Sequence, residues 1–256
     1  MDEELVVHSP QNPRVQAAVA LHDARRRRRD GLHLAEGRRV CAEAIARAEL
    51  EELFYTAVNA DLAAGLDAGV RRTCVDDRVM ERLADAVSPQ GVVAVVRTPD
   101  LEVALPADAP VLVLDRVADP GNVGTLVRTA AALGASVVCA GGADPFGPKA
   151  VRAAAGACYR TAVRRRVELG TIMSELRDSG RTAFGLAADG ERTVGELRGE
   201  HAGRDVALVL GAEPDGIGAA GRSQLDGMLR IPMANGVESL NVAAAGAIAL
   251  HALLGG

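Results

Sequence analysis

Three observations predict an α/β chain of two domains. Short apolar runs of strand type alternate with helical patterns along the whole sequence. The stretch 98–108, TPDLEVALPAD, carries two Pro and three acids and reads as a linker between a mixed first half and a more regular second half. Aromatics are scarce, with no Trp, two Tyr and three Phe in 256 residues, so Ala, Val, Leu and Gly must fill the core. The expected division is a domain over 1–97, a linker over 98–108 and a larger domain over 109–256 built on a mostly parallel sheet.

In the first half, RVQAAVALHDARRRRR (14–29) sets Val15, Ala18, Val19 and Leu21 at helical spacing and ends in charge, which predicts one amphipathic helix. LHLAEG (32–37) reads as a strand and turn, and RRVCAEAIARA (38–48) as a helix. ELFYTAVN and VRRTCVD are strand-like, DRVMERLADAV is helical, and GVVAVVRTP is a buried strand. The second half starts with the strand VLVLD (Val111–Asp115). GNVGTLVRTAAALG then loops into a helix that Gly134 ends. SVVCAG is a strand, PKAVRAAAGA a helix with Pro at its entrance, TIMSELRDSG a helix, and RTAFGLAA and VALVLGAE strands. The last strand lies in GMLRIPM, with Leu229 to Met233 extended. Strands joined through helices pair in parallel, and such sheets bind ligands outside the carboxyl ends of their strands.

Composition excludes several classes. No apolar run of 18 or more residues is free of breaks, and MDEELVVHSP lacks a basic-then-apolar leader, so a cytoplasmic protein with no membrane partner is expected. Cys41, Cys74, Cys139 and Cys158 are scattered with no Cys-x-x-Cys, and the five His show no ligand spacing. Buried thiols are expected, and no metal. The net charge of −5 argues against a nucleic-acid partner until its distribution is considered. Arg25, Arg26, Arg27, Arg28, Arg29, Arg38 and Arg39 crowd one segment, and Lys149, Arg152 and Arg160 stand in another that has no acid. A phosphate backbone responds to a local field rather than to the total charge. A solvated charge run is the competing reading.

Three strand ends of the second half carry polar residues of unusual kind. The first, DRVADPGNVGTLVRT, has a turn at Asp119-Pro120-Gly121, then Asn122, and Arg128 inside the helix. The second, LVLGAEPDGIG, surrounds Glu213 with Gly211, Gly216 and Gly218. The third, IPMANGVESLNVAAAGAIAL (231–250), presents Glu238, Ser239 and Asn241 before a helix of small residues that can sit close to other backbone. Alone, each also reads as a capped helix or a Gly-rich turn, with Ser239 near the start of the last one. None is a dinucleotide or Walker-type phosphate loop, and no nucleophile elbow occurs.

In order and spacing, the three segments resemble the SpoU (TrmH-type) RNA ribose methyltransferases of the SPOUT superfamily. The resemblance covers residues 111–255 throughout. SPQNPRVQ, HLAEGRRV and SPQGVVAVV in the first half are similar to the substrate-binding domain that often precedes them, a smaller, ribosomal-protein-like α/β RNA-binding domain. The resemblance implies a deep trefoil knot and a homodimer through the C-terminal domain whose active site draws on both subunits. It implies S-adenosylmethionine held by Leu210, Gly211, Glu213, Ile231, Met233, Ser239, Leu240 and Asn241, with backbone contacts at Gly211, Ile231 and Leu240. The implied catalytic set is Asn122, Arg128, Glu213, Ser239 and Asn241. Ala243 stands where relatives often have Ser. The implied substrate is structured RNA, with 23S ribosomal RNA leading and self-resistance to a ribosome-directed antibiotic one version of it. Transfer RNA and a non-catalytic RNA-binding relative are the alternatives.

Overall fold

The computed structural model describes residues 6–99, 103–197, 205–212 and 216–254. Its contacts group into two compact units, Met1–Pro99 with Phe146–Arg160, and Asp100–Pro145 with Thr161–Gly256. The first unit contains α1 (Pro13–Val19), α2 (Ala24–Asp30), β1 (Leu32–Glu36), α3 (Arg38–Arg47), β2 (Leu50–Tyr55), α4 (Ala60–Ala64), β3 (Arg71–Cys74), α5 (Asp77–Leu83) and β4 (Val92–Arg97). The single helix expected over 14–29 is two. Asp23 turns extended, at φ −76° and ψ 129°, and its carboxylate accepts from the backbone N–H of Arg25 and Arg26. An Asp that caps a new helix outcompetes continuation of the old one. The sheet order is β1-β4-β2-β3, with β1 and β2 antiparallel to β4 and β3 parallel to β2. Val15, Leu21, Leu34, Phe54, Met80, Leu83 and Val93 form its core.

The second unit contains β5 (Val111–Asp115), α6 (Pro120–Ala132) and β6 (Ser136–Ala140). The next helix, α7 (Pro148–Ala154), lies in the sequence span 109–256 and groups by its contacts with the first unit. Polar ties within that unit account for this. Arg152 reaches buried Glu36 at 3.1 Å and Asp85 at 2.6 Å, and Arg160 pairs with Glu43 at 2.5 Å. His33 is fully buried, with Thr98 Oγ1 3.1 Å from Nδ1 and the Tyr159 hydroxyl 2.8 Å from Nε2.

The chain continues with β7 (Val163–Arg165), α8 (Leu169–Asp178), β8 (Thr182–Leu186), β9 (Arg192–Thr193), β10 (Val206–Gly211), α9 (Ala219–Arg222), β11 (Gly227–Arg230) and α10 (Val242–Leu254). Seven strands in the order β7-β6-β5-β10-β8-β11-β9 pair in parallel throughout. β7 and β9 were not expected. They are too short to carry a periodic pattern and exist through pairing with a neighbour. β11 ends at Arg230, before the expected Met233. Pro232 has no N–H to give a ladder, and the chain from Ile231 turns out of the sheet. The strand order reverses between β5 and β10, the position at which open parallel sheets form a crevice.

α10 packs on α6 and β10 through its small residues. A Cβ on Gly246 would lie 2.4 Å from Leu126 Cδ2 and 2.7 Å from Leu210 Cδ1. Absence of a side chain there is what lets the helix approach. The four cysteines are buried and form no disulfide among the described residues, and burial pushes the thiols of Cys41, Cys139 and Cys158 up to about 12.

Candidate active site

The carboxyl ends of β10, β8 and β11, three neighbours in the sheet, surround a cavity of about 680 Å³. That volume suits a ligand of cofactor size. Leu210, Gly211, Ala212 and Gly216 form the β10 wall. Leu186, Ala187, Ala188 and Asp189 form the β8 wall, and Ile231 and Met233 line it after β11. Residues 238–242 and Ala245 close the cavity. Seven of the residues proposed for cofactor binding, Leu210, Gly211, Ile231, Met233, Ser239, Leu240 and Asn241, are thus brought together on one cavity. Glu213 lies outside the described residues.

Glycine is required at 211. A Cβ there would stand 2.1 Å from the carbonyl carbon of Gly216, because the loop folds back with Gly216 N–H donating to Ala212 O at 2.6 Å. Gly211, Ala212 and Gly216 therefore meet the cavity with backbone and a single methyl group.

Asn241 joins two helix starts. Its Oδ1 accepts from the N–H of Ala243 at 2.9 Å and of Ala244 at 3.3 Å, which caps α10. Its Nδ2 donates to Asn122 Oδ1 at 3.0 Å. Asn122 is fixed in turn by its N–H on Asp119 Oδ1 at 2.9 Å, the cap of α6. The capping role read for Ser239 thus belongs to Asn241, and Ser239 is exposed on the cavity wall. Arg128 is not brought to this cluster. It is exposed on α6, is not part of the cavity lining, and has no hydrogen bond or ion pair among the described residues. Six residues beyond Asn122 is about 9 Å along a helix and about 120° around it.

The β8 wall and Arg222 were not among the site residues expected from the sequence. Arg222 donates to Asp189 through both terminal nitrogens, at 2.8 and 3.1 Å, and through Nε to Ile217 O at 3.1 Å. The Arg222 guanidinium holds the Asp189 carboxyl below the usual carboxylate range. The only sequence signal was an Asp-Gly pair ending a strand.

The basic residues proposed for RNA fare differently. Arg27 is buried, and its guanidinium donates to the carbonyls of Leu21 and His22, so it stabilises the first unit from inside. Arg26 and Arg29 share Asp30, Arg38 is fastened to Asp61 and Asn59, and Arg152 and Arg160 hold acids as described above. Arg25, Arg28, Arg39 and Lys149 are exposed.

An all-parallel sheet with a cavity at its strand ends, walled by glycine loops and an Asn-capped helix, defines a cofactor-binding α/β enzyme domain. Residues 109–251 match the SpoU rRNA Methylase family and residues 12–94 the MRM3-like substrate binding domain. The chain belongs to the SpoU family. It is 30% identical over 251 residues to the 23S rRNA (guanosine(2553)-2'-O)-methyltransferase RlmP of Bacillus subtilis (strain 168), covering 97% of this chain and 99% of that one. It is 38% identical over 155 residues to the 23S rRNA (guanosine-2'-O-)-methyltransferase RlmB of Xylella fastidiosa, covering 59% and 60%. The SpoU methyltransferase AviRb from Streptomyces viridochromogenes, solved with AdoMet, is similar with a TM-score of 0.86 at 27% identity, over 95% of this chain and 97% of that one. An AdoMet-bound rRNA methyltransferase from Sinorhizobium meliloti is similar with a TM-score of 0.86 at 26% identity, over 97% of each chain.

Proposed function

We propose that this protein methylates a ribose 2′-hydroxyl of 23S ribosomal RNA, using S-adenosylmethionine. The observation that carries the reading is the convergence of seven motif residues from two separated segments on one cavity at the carboxyl edge of the sheet, with the first segment joined to them through the Asn122–Asn241 bond. The cavity fits the cofactor. Leu210, Ile231, Met233 and Leu240 offer apolar surface for a purine, and Gly211 brings backbone to the cavity wall. When bound, S-adenosylmethionine supplies an activated methyl group on a sulfonium. Whole-length similarity to RlmP favours ribosomal RNA over transfer RNA.

The residues divide the work. Asn241 fixes the start of α10 against α6 through Asn122, which holds the closing loop of the cavity in place. Ser239 lines the same wall and orients the cofactor. Arg128 clamps the phosphate beside the target ribose, which lowers the pKa of the 2′-hydroxyl. Guanidinium remains charged near neutrality, so it acts better as an electrostatic clamp than as a base. Glu213 is given the role of holding Asn122 or Arg128. Arg25, Arg28, Arg39 and Lys149 supply phosphate contacts.

A homodimer through the C-terminal domain follows from the same reading. Arg128 lies off the cavity lining, so a second copy's Arg128 is the one that serves each cavity. α10 leaves Ile248 exposed on an otherwise apolar helix, which suits a self-complementary contact. A threaded C-terminal segment accounts for the small residues of α10. No helix of the described residues is long and apolar enough to cross a membrane.

Mapping 2′-O-methylation in total RNA from a deletion strain tests the function. Loss of one methyl mark in 23S RNA, restored by the purified protein with S-adenosylmethionine, is the expected result. A mark lost from transfer RNA instead, or no mark lost, rejects it.

A further inference from the structure

The walls of the cavity are separate loops, and each has a tie to the next. The β11 end is tied to the β8 loop. Ala187 N–H donates to Leu229 O at 2.9 Å, and Arg230 Nη1 donates to the carbonyls of Gly190 and Glu191 at 2.8 and 2.7 Å. Gly190 sits so close to Leu229 that a Cβ on it would stand 2.3 Å from the Leu229 carbonyl carbon. The β8 loop is thereby fixed on one side. On its other side stand Gly211, Gly216 and Gly218 of the segment after β10, none of which has a side chain to reach across. Arg222 supplies that bridge from α9, with Nε on Ile217 O and both terminal nitrogens on Asp189.

We propose that the Arg222–Asp189 pair is a positioning device for the cofactor site, setting the separation of the β10 and β8 walls before a ligand enters. The inference rests on the methyltransferase reading of the cavity. Its physical basis is the fork geometry of guanidinium, which fixes both distance and orientation when it binds a carboxylate through two nitrogens. Lys in its place keeps the charge and loses the fork. The pair is exposed, with side chains 37% and 67% accessible, so its contribution to global stability is small. Its effect is local, on the ordering of residues 216–222. A loop held in its binding conformation spares the ligand the entropic cost of ordering it.

The test compares the full-length wild type with Asp189→Asn, Arg222→Lys and the charge-reversed pair Asp189→Arg with Arg222→Asp. Isothermal titration with S-adenosylmethionine is expected to show about a three- to fivefold rise in Kd for each single variant and partial recovery in the reversed pair. The KM for the cofactor rises more than kcat falls. Amide hydrogen exchange without ligand is the second readout, and residues 216–222 exchange faster in the single variants at unchanged melting temperature. Unchanged exchange in both single variants overturns the proposal, whether or not cofactor binds. Absence of S-adenosylmethionine binding in the wild type overturns the methyltransferase reading instead, while the exchange data still decide whether the pair holds the loops.

Discussion

The two units use their polar residues in opposite ways. In the second unit, Asn241 donates to Asn122 and caps the backbone of α10, Asn122 donates its N–H to Asp119, and the two helix starts organise a cavity. In the first unit, many of the arginines that marked it as basic are spent on internal ties, as Arg27, Arg38 and Arg152 show. A spacing motif with glycines and asparagines specifies backbone geometry and so survives folding as a site. A count of charges specifies none, and the fold is free to recruit them for its own stability.

Replacing Arg128 by Ala puts the strongest strain on this contrast. Methylation is expected to fall by about 10²–10³-fold, the scale for removing a donor that stabilises developing charge, with cofactor binding retained. Parallel loss of cofactor affinity in titration would move Arg128 from the substrate to the cofactor. Arg152→Ala tests the other side. Glu36 keeps the backbone donors of Asp85 and Ala86 but loses its charged partner, at a cost of about 2–3 kcal/mol in chemical denaturation. Unchanged stability with weakened RNA binding would return Arg152 to the interface. Asn241→Ala removes a helix cap worth about 1 kcal/mol and is expected to weaken S-adenosylmethionine binding as well. A loss of stability without loss of affinity would confine Asn241 to the fold. The smallest effect belongs to Arg25→Ala with Arg28→Ala. RNA affinity should fall modestly, and the salt dependence of log K should flatten by about one unit per lost phosphate contact. An unaltered slope would leave both as solvated surface.

Strand runs such as VLVLD and VALVLG, and the helix entrance at Pro148, were legible because each depends on local pattern, whereas α6 starts at Pro120, inside the expected turn, because Asp119 caps it. That Leu210, Gly211 and residues of the 231–250 segment share one cavity follows from the same local patterns. What escaped depends on partners far along the chain. Asp23 splits a periodic run through a single side-chain bond, and β9 exists only beside β11. Asp189 and Arg222 are 33 residues apart, in segments with no shared pattern, and meet only once the strands are stacked. Ser239 and Asn241 both had the chemistry of a cap. The choice between them was made by Asn122, on another helix.

The return of Phe146–Arg160 to the first unit means the polypeptide passes between the units three times, after Pro99, Pro145 and Arg160. The substrate-binding unit is therefore not a cassette. A fragment ending at Pro99 lacks Phe146, Arg152 and Tyr159, leaving buried His33 without its Tyr159 partner and Glu36 without its cation. Recombination or cloning that exchanges the first hundred residues between relatives would have to carry this fifteen-residue graft along with them, and a change of RNA target by domain exchange becomes a two-segment event.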